Sequence, residues 1–210
     1  MKRIWIACCA LLLATLTLAA QAENKKPATE NPRIFFETDL GKMVIELYPQ
    51  KAPVTVKNFL AYVDSGFYEG TIFHRVIPDF VVQGGGLTFD FKPKETMDPI
   101  ANESNNGLLN EEATLSMART SDPASATSQF FINLKHNPHL DAKGDAPGYA
   151  VFGKVVEGFD VVRKIEKEPR GLYRAFPEAP NYAVRILKAG RVGAEAAPKA
   201  PAGLEVKRDK

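Results

Sequence analysis

Between residues 33 and 190 most apolar segments are short and rich in Val, Ile and Phe, and about eight of them read as strands. Segments of this length suit strands and are too brief for helices. Arg33–Thr38 and Lys42–Leu47 flank Asp39-Leu40-Gly41 and read as a hairpin. Further strands are expected at Ile72–Ile77, Phe80–Gln83, Thr114–Ala118, Gln129–Leu134, Tyr149–Val155 and Tyr182–Ala189. Two segments have the helical period instead. In Pro53–Gly66 the apolar residues Val56, Phe59, Leu60 and Val63 share one face, with Pro53 suited to the first turn and Gly66 to the stop. Phe159–Glu166 is a second, shorter amphipathic helix. The fold class expected is mainly β: a closed antiparallel barrel of eight strands capped by two helices, closure removing the edges that invite aggregation.

The ends have a different composition. Residues 1–22 read as a cleaved signal peptide. Lys2 and Arg3 form a positive head, an uncharged apolar run extends to Ala20, and Ala20-Gln21-Ala22 is a cleavage site. The run is short for a membrane span. Residues 23–32 are a polar linker, 33–190 the folded domain, and 191–210 an Ala/Pro/Lys-rich tail expected to be disordered. Cleavage removes Cys8, Cys9 and Trp5, so the exported chain has no thiol for catalysis, for metal binding or for a disulfide. It removes two of 27 basic residues and none of the 25 acidic ones, leaving a formally neutral chain. Neutrality argues against nucleic acid or an anionic membrane as partner, and mildly favours a monomer.

Hydrolase signatures are absent: there is no GxSxG and no HExxH. His136 and His139 flank Asn137-Pro138, which favours a turn over a metal-binding helix face. Asn102-Glu103-Ser104 fits a glycosylation acceptor. Gly84–Asn110, opening on three glycines, has no clear period, and long ordered loops are commonly functional. In Ser128–Asn133 the strand period puts Gln129, Phe131 and Asn133 on one face and Phe130, Ile132 and Leu134 on the other. Both faces carry a large aromatic. Either one is core while the other packs under a helix, or the Phe131 face is an outward apolar pocket with Gln129 and Arg75 as polar handles.

Three ordered stretches carry a resemblance. Phe73–Gly86 (FHRVIPDFVVQGGG), Ser128–Asn133 (SQFFIN) and Tyr149–Val155 (YAVFGKV), with LSMART at Leu115–Thr120 before the second, are similar in order and spacing to the cyclophilins, peptidyl-prolyl cis-trans isomerases. The leader, PIANESNNGL and YAVFGKV look most like the bacterial periplasmic type, so the resemblance implies a periplasmic location. It also implies that Arg75 is the catalytic arginine and Gln83 its buttress. Phe80, Phe131 and Leu140 would wall the proline pocket, with Val81, His139 and Tyr149 as further members. Ala118, Arg119 and Thr120 would run along the bound peptide, with Gln129 contacting it. His139 stands where Trp or Phe is frequent, so weak cyclosporin binding is expected. The implied activity is cis/trans interconversion of X-Pro bonds in unfolded or flexible polypeptides, assisting exported proteins to fold. The alternative is a peptide-binding module or holdase using the same groove. No covalent bond breaks in such a reaction, so no cofactor or metal is needed.

Overall fold

The computed structural model describes residues 30–193; the expected signal segment, residues 23–29 of the linker and the tail beyond Gly193 lie outside the described residues. The elements run β1 (Arg33–Thr38), β2 (Gly41–Leu47), α1 (Pro53–Asp64), β3 (Thr71–Ile77), β4 (Val81–Thr88), β5 (Thr114–Met117), β6 (Phe130–Asn133), β7 (Val151–Glu157), α2 (Phe159–Lys167) and β8 (Ile186–Arg191). All eight strands form one antiparallel sheet in the order β3-β4-β6-β5-β7-β2-β1-β8. Its two ends meet. The Phe73 amide donates to Val184 O at 3.0 Å, the Gly70 amide to Ile186 O at 2.8 Å, and Ile72 bridges Arg185. The sheet is therefore an almost closed barrel, as the segment pattern predicts.

The interior is aromatic. Phe36, Phe59, Tyr68, Phe73, Phe130 and Phe152 are all fully buried, and Phe130 lies at the centre of this group. Helix α1 contributes Val56, Phe59 and Val63 as the spacing predicts, while Leu60 is only partly buried and Tyr62 joins the core instead. Its Ala52 N-cap has no side chain to offer the first-turn amides. The carboxylate of Glu103 takes that place, accepting from the Val54 and Thr55 amides at 3.1 and 2.8 Å and from the Thr55 hydroxyl at 2.7 Å. Helix α2 buries Val161, Val162 and Ile165 and packs on β2, β3 and β4.

The stretch after Gln83 differs from the expectation of a long loop. Strand β4 continues through all three glycines to Thr88. Gly85 has a φ of +82°, and a Cβ there would lie 2.7 Å from the Phe130 ring. Glycine lets the strand lie directly on the aromatic core, at the cost of any apolar signal in the sequence. The remainder is a strap pinned along its length. Lys94 donates to the Phe67 carbonyl, the Met97 amide to the Tyr62 hydroxyl, Ile100 bridges Ala126, and Glu103 reaches α1. The last strand begins at Ile186, four residues later than the pattern places it. Asn181 belongs to the preceding loop, with its side-chain oxygen on the Leu172 amide and its own amide on Pro169 O.

Candidate functional site

Register decides which face of β6 is which. Arg75 on β3 lies opposite Gln83 on β4, and Gln83 lies opposite Phe131 on β6. Residues directly opposed in a sheet project to the same side, so Arg75, Gln83 and Phe131 form one row on the outer surface. Gln129, two residues before Phe131, shares that face. Phe130, Ile132 and Leu134 point inward and belong to the core cluster, whereas Phe131 does not. The Phe130 face is therefore the core side of the strand, and the Phe131 face is the outer one.

Polar groups on this face make a continuous chain. Arg75 Nη1 donates to Gln83 Oε1 at 3.4 Å, and Gln83 Nε2 donates to Gln129 Oε1 at 3.1 Å. On its other side Arg75 Nε lies 2.6 Å from Glu178 Oε2. The sequence motifs do not include Glu178. The apolar wall is built from ring pairs. Phe80 stacks on His139 with centroids 5.3 Å apart, and Phe131 meets Tyr149 edge-on at 5.5 Å. Val81 lies almost fully buried on β4. Leu140 ends a one-turn 3₁₀ helix, Pro138–Leu140, and its carbonyl accepts the Tyr149 amide at 2.8 Å. Ala118 is tied to this face through its amide on Gln129 O at 2.9 Å.

Two of the expected peptide-strip residues are engaged elsewhere. The Arg119 guanidinium sits 4.5 Å above the Tyr149 ring and donates to the carbonyls of Gly148, Pro147 and Thr120. It braces the Pro147–Tyr149 backbone against the wall. The Thr120 hydroxyl shares a hydrogen bond with Ser125 at 2.8 Å. His136 faces Asp141 at 3.9 Å while His139 lies on Phe80, so the two histidines serve different neighbours. Among the described residues no three His, Cys, Asp or Glu side chains gather into a metal-sized cluster. The Asn102 side chain donates to Pro123 O and Gly148 O and accepts the Ser104 amide, so this acceptor-like tripeptide builds a turn.

Beneath the wall is a buried amide network that composition does not reveal. Asn133 Nδ2 donates to Thr114 Oγ1 at 2.9 Å and to Asn110 Oδ1 at 3.2 Å, and Asn137 Nδ2 donates to Asn133 Oδ1 at 2.8 Å and to Phe80 O at 3.0 Å. Asn110 Nδ2 in turn reaches Asp141 at 2.9 Å. The network joins β5 and β6 to the segment carrying His139 and Leu140. Buried amides without partners are costly, so these contacts fix the wall's geometry.

His74, next to Arg75, is buried. Burial is the main cause that pushes its imidazole down to about 4; the Arg75 charge adds to this, while hydrogen bonds with the Ile72 backbone and the Gln129 side chain oppose it. A histidine whose folded value lies below its unfolded value of about 6.5 takes up protons on unfolding at intermediate pH. Its contribution is fully present above pH 6.5 and is lost as pH falls from there to about 4. Urea unfolding at pH 7 and pH 4 should differ by on the order of 2–3 kcal/mol from this residue. The drop should shrink in His74→Gln; an unchanged pH slope in that variant would refute the assignment.

Barrel, end-capping helices and outer-face row together define the cyclophilin-like barrels. Residues 33–191 match the family described as cyclophilin type peptidyl-prolyl cis-trans isomerase/CLD, and the chain belongs to that family. It is 49% identical over 178 residues to a peptidyl-prolyl cis-trans isomerase of Acinetobacter baylyi, covering 85% of this chain and 92% of that protein. It is 53% identical over 156 residues to peptidyl-prolyl cis-trans isomerase A of Dickeya dadantii, covering 73% of this chain and 82% of that one. Among solved structures, a cyclophilin-type isomerase of Cryptosporidium parvum crystallised in the presence of the dipeptide Ala-Pro superposes with a TM-score of 0.62 at 29% identity. It covers 75% of this chain and 96% of that one.

Proposed function

We propose that this chain accelerates cis/trans interconversion of X-Pro bonds in unfolded or flexible polypeptides, with Arg75 as the catalytic donor and Gln83 as its support. The observation that carries this reading is the Arg75–Gln83–Gln129 hydrogen-bond chain set in register beside Phe131 on the barrel's outer face.

The chemistry asks for little more. The X-Pro amide resists twisting by about 18–20 kcal/mol because of its double-bond character, so the uncatalysed event takes on the order of tens to hundreds of seconds. Twisting returns the lone pair to the proline nitrogen. A donor directed at that nitrogen binds the twisted form better than either planar form, which is selective stabilisation of the transition state. Arg75 suits the task because guanidinium stays charged and offers several donors in a rigid fork. Phe80, Phe131 and Leu140 hold the proline ring and exclude water, with Val81, His139 and Tyr149 completing the wall. One side of the bond is thereby fixed while the other turns. Shortening a ~100 s event to about a millisecond takes roughly 7 kcal/mol.

Ala118 and Gln129 would contact the peptide, Thr120 would do so only from a hydroxyl already bonded to Ser125, and Arg119 acts by bracing Tyr149. The stacked His139 leaves a smaller, more polar surface than Trp would, so cyclosporin should bind weakly. The signal-like residues 1–22 support export, with the periplasm as the inferred destination and newly exported proteins as the clients. Residues 23–210 with a short X-Pro peptide test the activity directly, by following cis-to-trans conversion. Acceleration at catalytic protein concentration is expected. A folded protein that binds the peptide without acceleration would make the barrel a binding module or holdase.

A further inference from the structure

Arg75 is held from two sides, and only one of them is accounted for by Gln83. The loop between α2 and β8 folds back across the barrel and delivers Glu178 to the guanidinium Nε at 2.6 Å. Its course is well determined by contacts. Phe176 stacks on Phe91 at 4.4 Å and Tyr173 packs against the same ring at 4.8 Å. Arg170 bridges Pro180 and caps the end of α2 through the carbonyls of Glu166 and Glu168. The Glu178 carbonyl accepts the Val76 amide at 2.8 Å, immediately after Arg75 on β3, and the next residue, Ala179, is buried. Backbone and side chain of Glu178 thus both grip the segment that presents the arginine.

This ion pair is poorly placed to stabilise the fold. The Arg75 and Glu178 side chains are 35% and 44% exposed, and pairs in that environment contribute little to stability. Its geometric effect is larger. Glu178 Oε2 lies against Nε as an ion-pair partner and Gln83 Oε1 accepts one Nη1 hydrogen, so the guanidinium is held from both ends. Among the described residues Nη2 donates no hydrogen bond to the protein, which leaves its hydrogens for a ligand. We propose that Glu178 is a positioning residue for the isomerisation, orienting Arg75 so that Nη2 faces the twisting X-Pro bond. The proposal rests on Arg75 being the catalytic donor.

Four variants test it on residues 23–210: Glu178→Ala, Glu178→Gln, Arg75→Ala and the Arg75→Ala/Glu178→Ala double, with kcat and KM measured separately on an X-Pro peptide. Glu178→Ala should lower kcat about 5- to 10-fold with KM within twofold, because the loss is one of orientation in the transition state. Glu178→Gln keeps a polar oxygen of the same reach beside Nε and should recover part of the lost kcat. In the Arg75→Ala background, Glu178→Ala should change nothing further. An unchanged or raised kcat in Glu178→Ala, or an equal fall with and without Arg75, overturns the positioning role. Full activity in Arg75→Ala overturns the underlying assignment instead, and does so whatever Glu178 does.

Discussion

Arg75→Ala is expected to lose about 100-fold or more in kcat/KM on an X-Pro peptide, the range seen when one transition-state donor is removed from a preorganised site. The protein should stay folded. The side chain is about one-third exposed, and its partners Glu178 and Gln83 are reached by solvent, so neither is left as a buried unpaired group. The melting temperature should therefore fall by only a few degrees. Arg75→Lys sharpens the test. Lysine keeps the charge and loses the fork, so its single nitrogen cannot reproduce the spacing at which Glu178 and Gln83 hold the guanidinium. It should resemble Arg75→Ala in kcat more than wild type. Isomerisation followed by NMR line exchange or stopped-flow, beside thermal unfolding of the same samples, checks both halves. A variant with wild-type kcat/KM would show that the apolar groove alone carries the acceleration.

The size of that effect depends on how much of the barrier is electrostatic. On the proposed reading, proline-ring burial against Phe80 and Phe131 would bind planar and twisted substrate alike, and so lower KM more than it raises kcat. The proposed donor, Arg75, would act chiefly on the twisted form. Its orientation is set by residues far apart in sequence, Gln83 on β4, Gln129 just before β6 and Glu178 in the loop before β8. A side chain held by three segments of a barrel needs little reorganisation when the bond twists, which is the condition under which a single donor is worth several kcal/mol.

What the sequence makes legible follows from where the physics is local. The β1–β2 hairpin and helix α1 are legible because their apolar periods and their Gly41, Pro53 and Gly66 punctuation are contained within a few residues. The motif residues Arg75, Gln83 and Phe131 are legible through resemblance, and their convergence is a matter of cross-strand register. The extension of β4 is hidden because glycine carries no hydrophobic pattern; only the position of Phe130 explains why the strand needs it. Glu178 is hidden for a different reason. It lies in a proline-punctuated loop whose path is set by Phe91, a residue at the tip of a turn on another part of the barrel. The Asn110–Asn133–Asn137 network reads as ordinary loop polarity until the three side chains are seen to be buried together.

Adjacent residues on β6 offer the second large test, because Phe130 and Phe131 are chemically identical and face opposite ways. Phe130 is fully buried, with ring centroids 5.5 Å from Phe36, 5.6 Å from Tyr68, 5.8 Å from Phe59 and 6.2 Å from Phe73. Phe130→Ala should cost about 4 kcal/mol, from lost transfer free energy and from a cavity that a ring of packed aromatics cannot collapse to fill. That is a large share of the stability of a domain of this size, about 5–15 kcal/mol. Phe131 is almost as inaccessible, yet it borders the groove and meets Tyr149 rather than the core. Truncating it opens a wall to solvent instead of leaving a closed void, so Phe131→Ala should cost about 1–2 kcal/mol, less than a closed-core truncation. Its larger effect should be on catalysis, with KM raised several-fold as the proline ring loses its partner. Urea unfolding and kcat/KM of the two variants, compared below the unfolding transition, separate the roles. If Phe131→Ala proved the more destabilising and Phe130→Ala the more damaging to KM, β6 would have to be rotated by one residue, and with it the whole row that brings Arg75, Gln83 and Phe131 onto one surface.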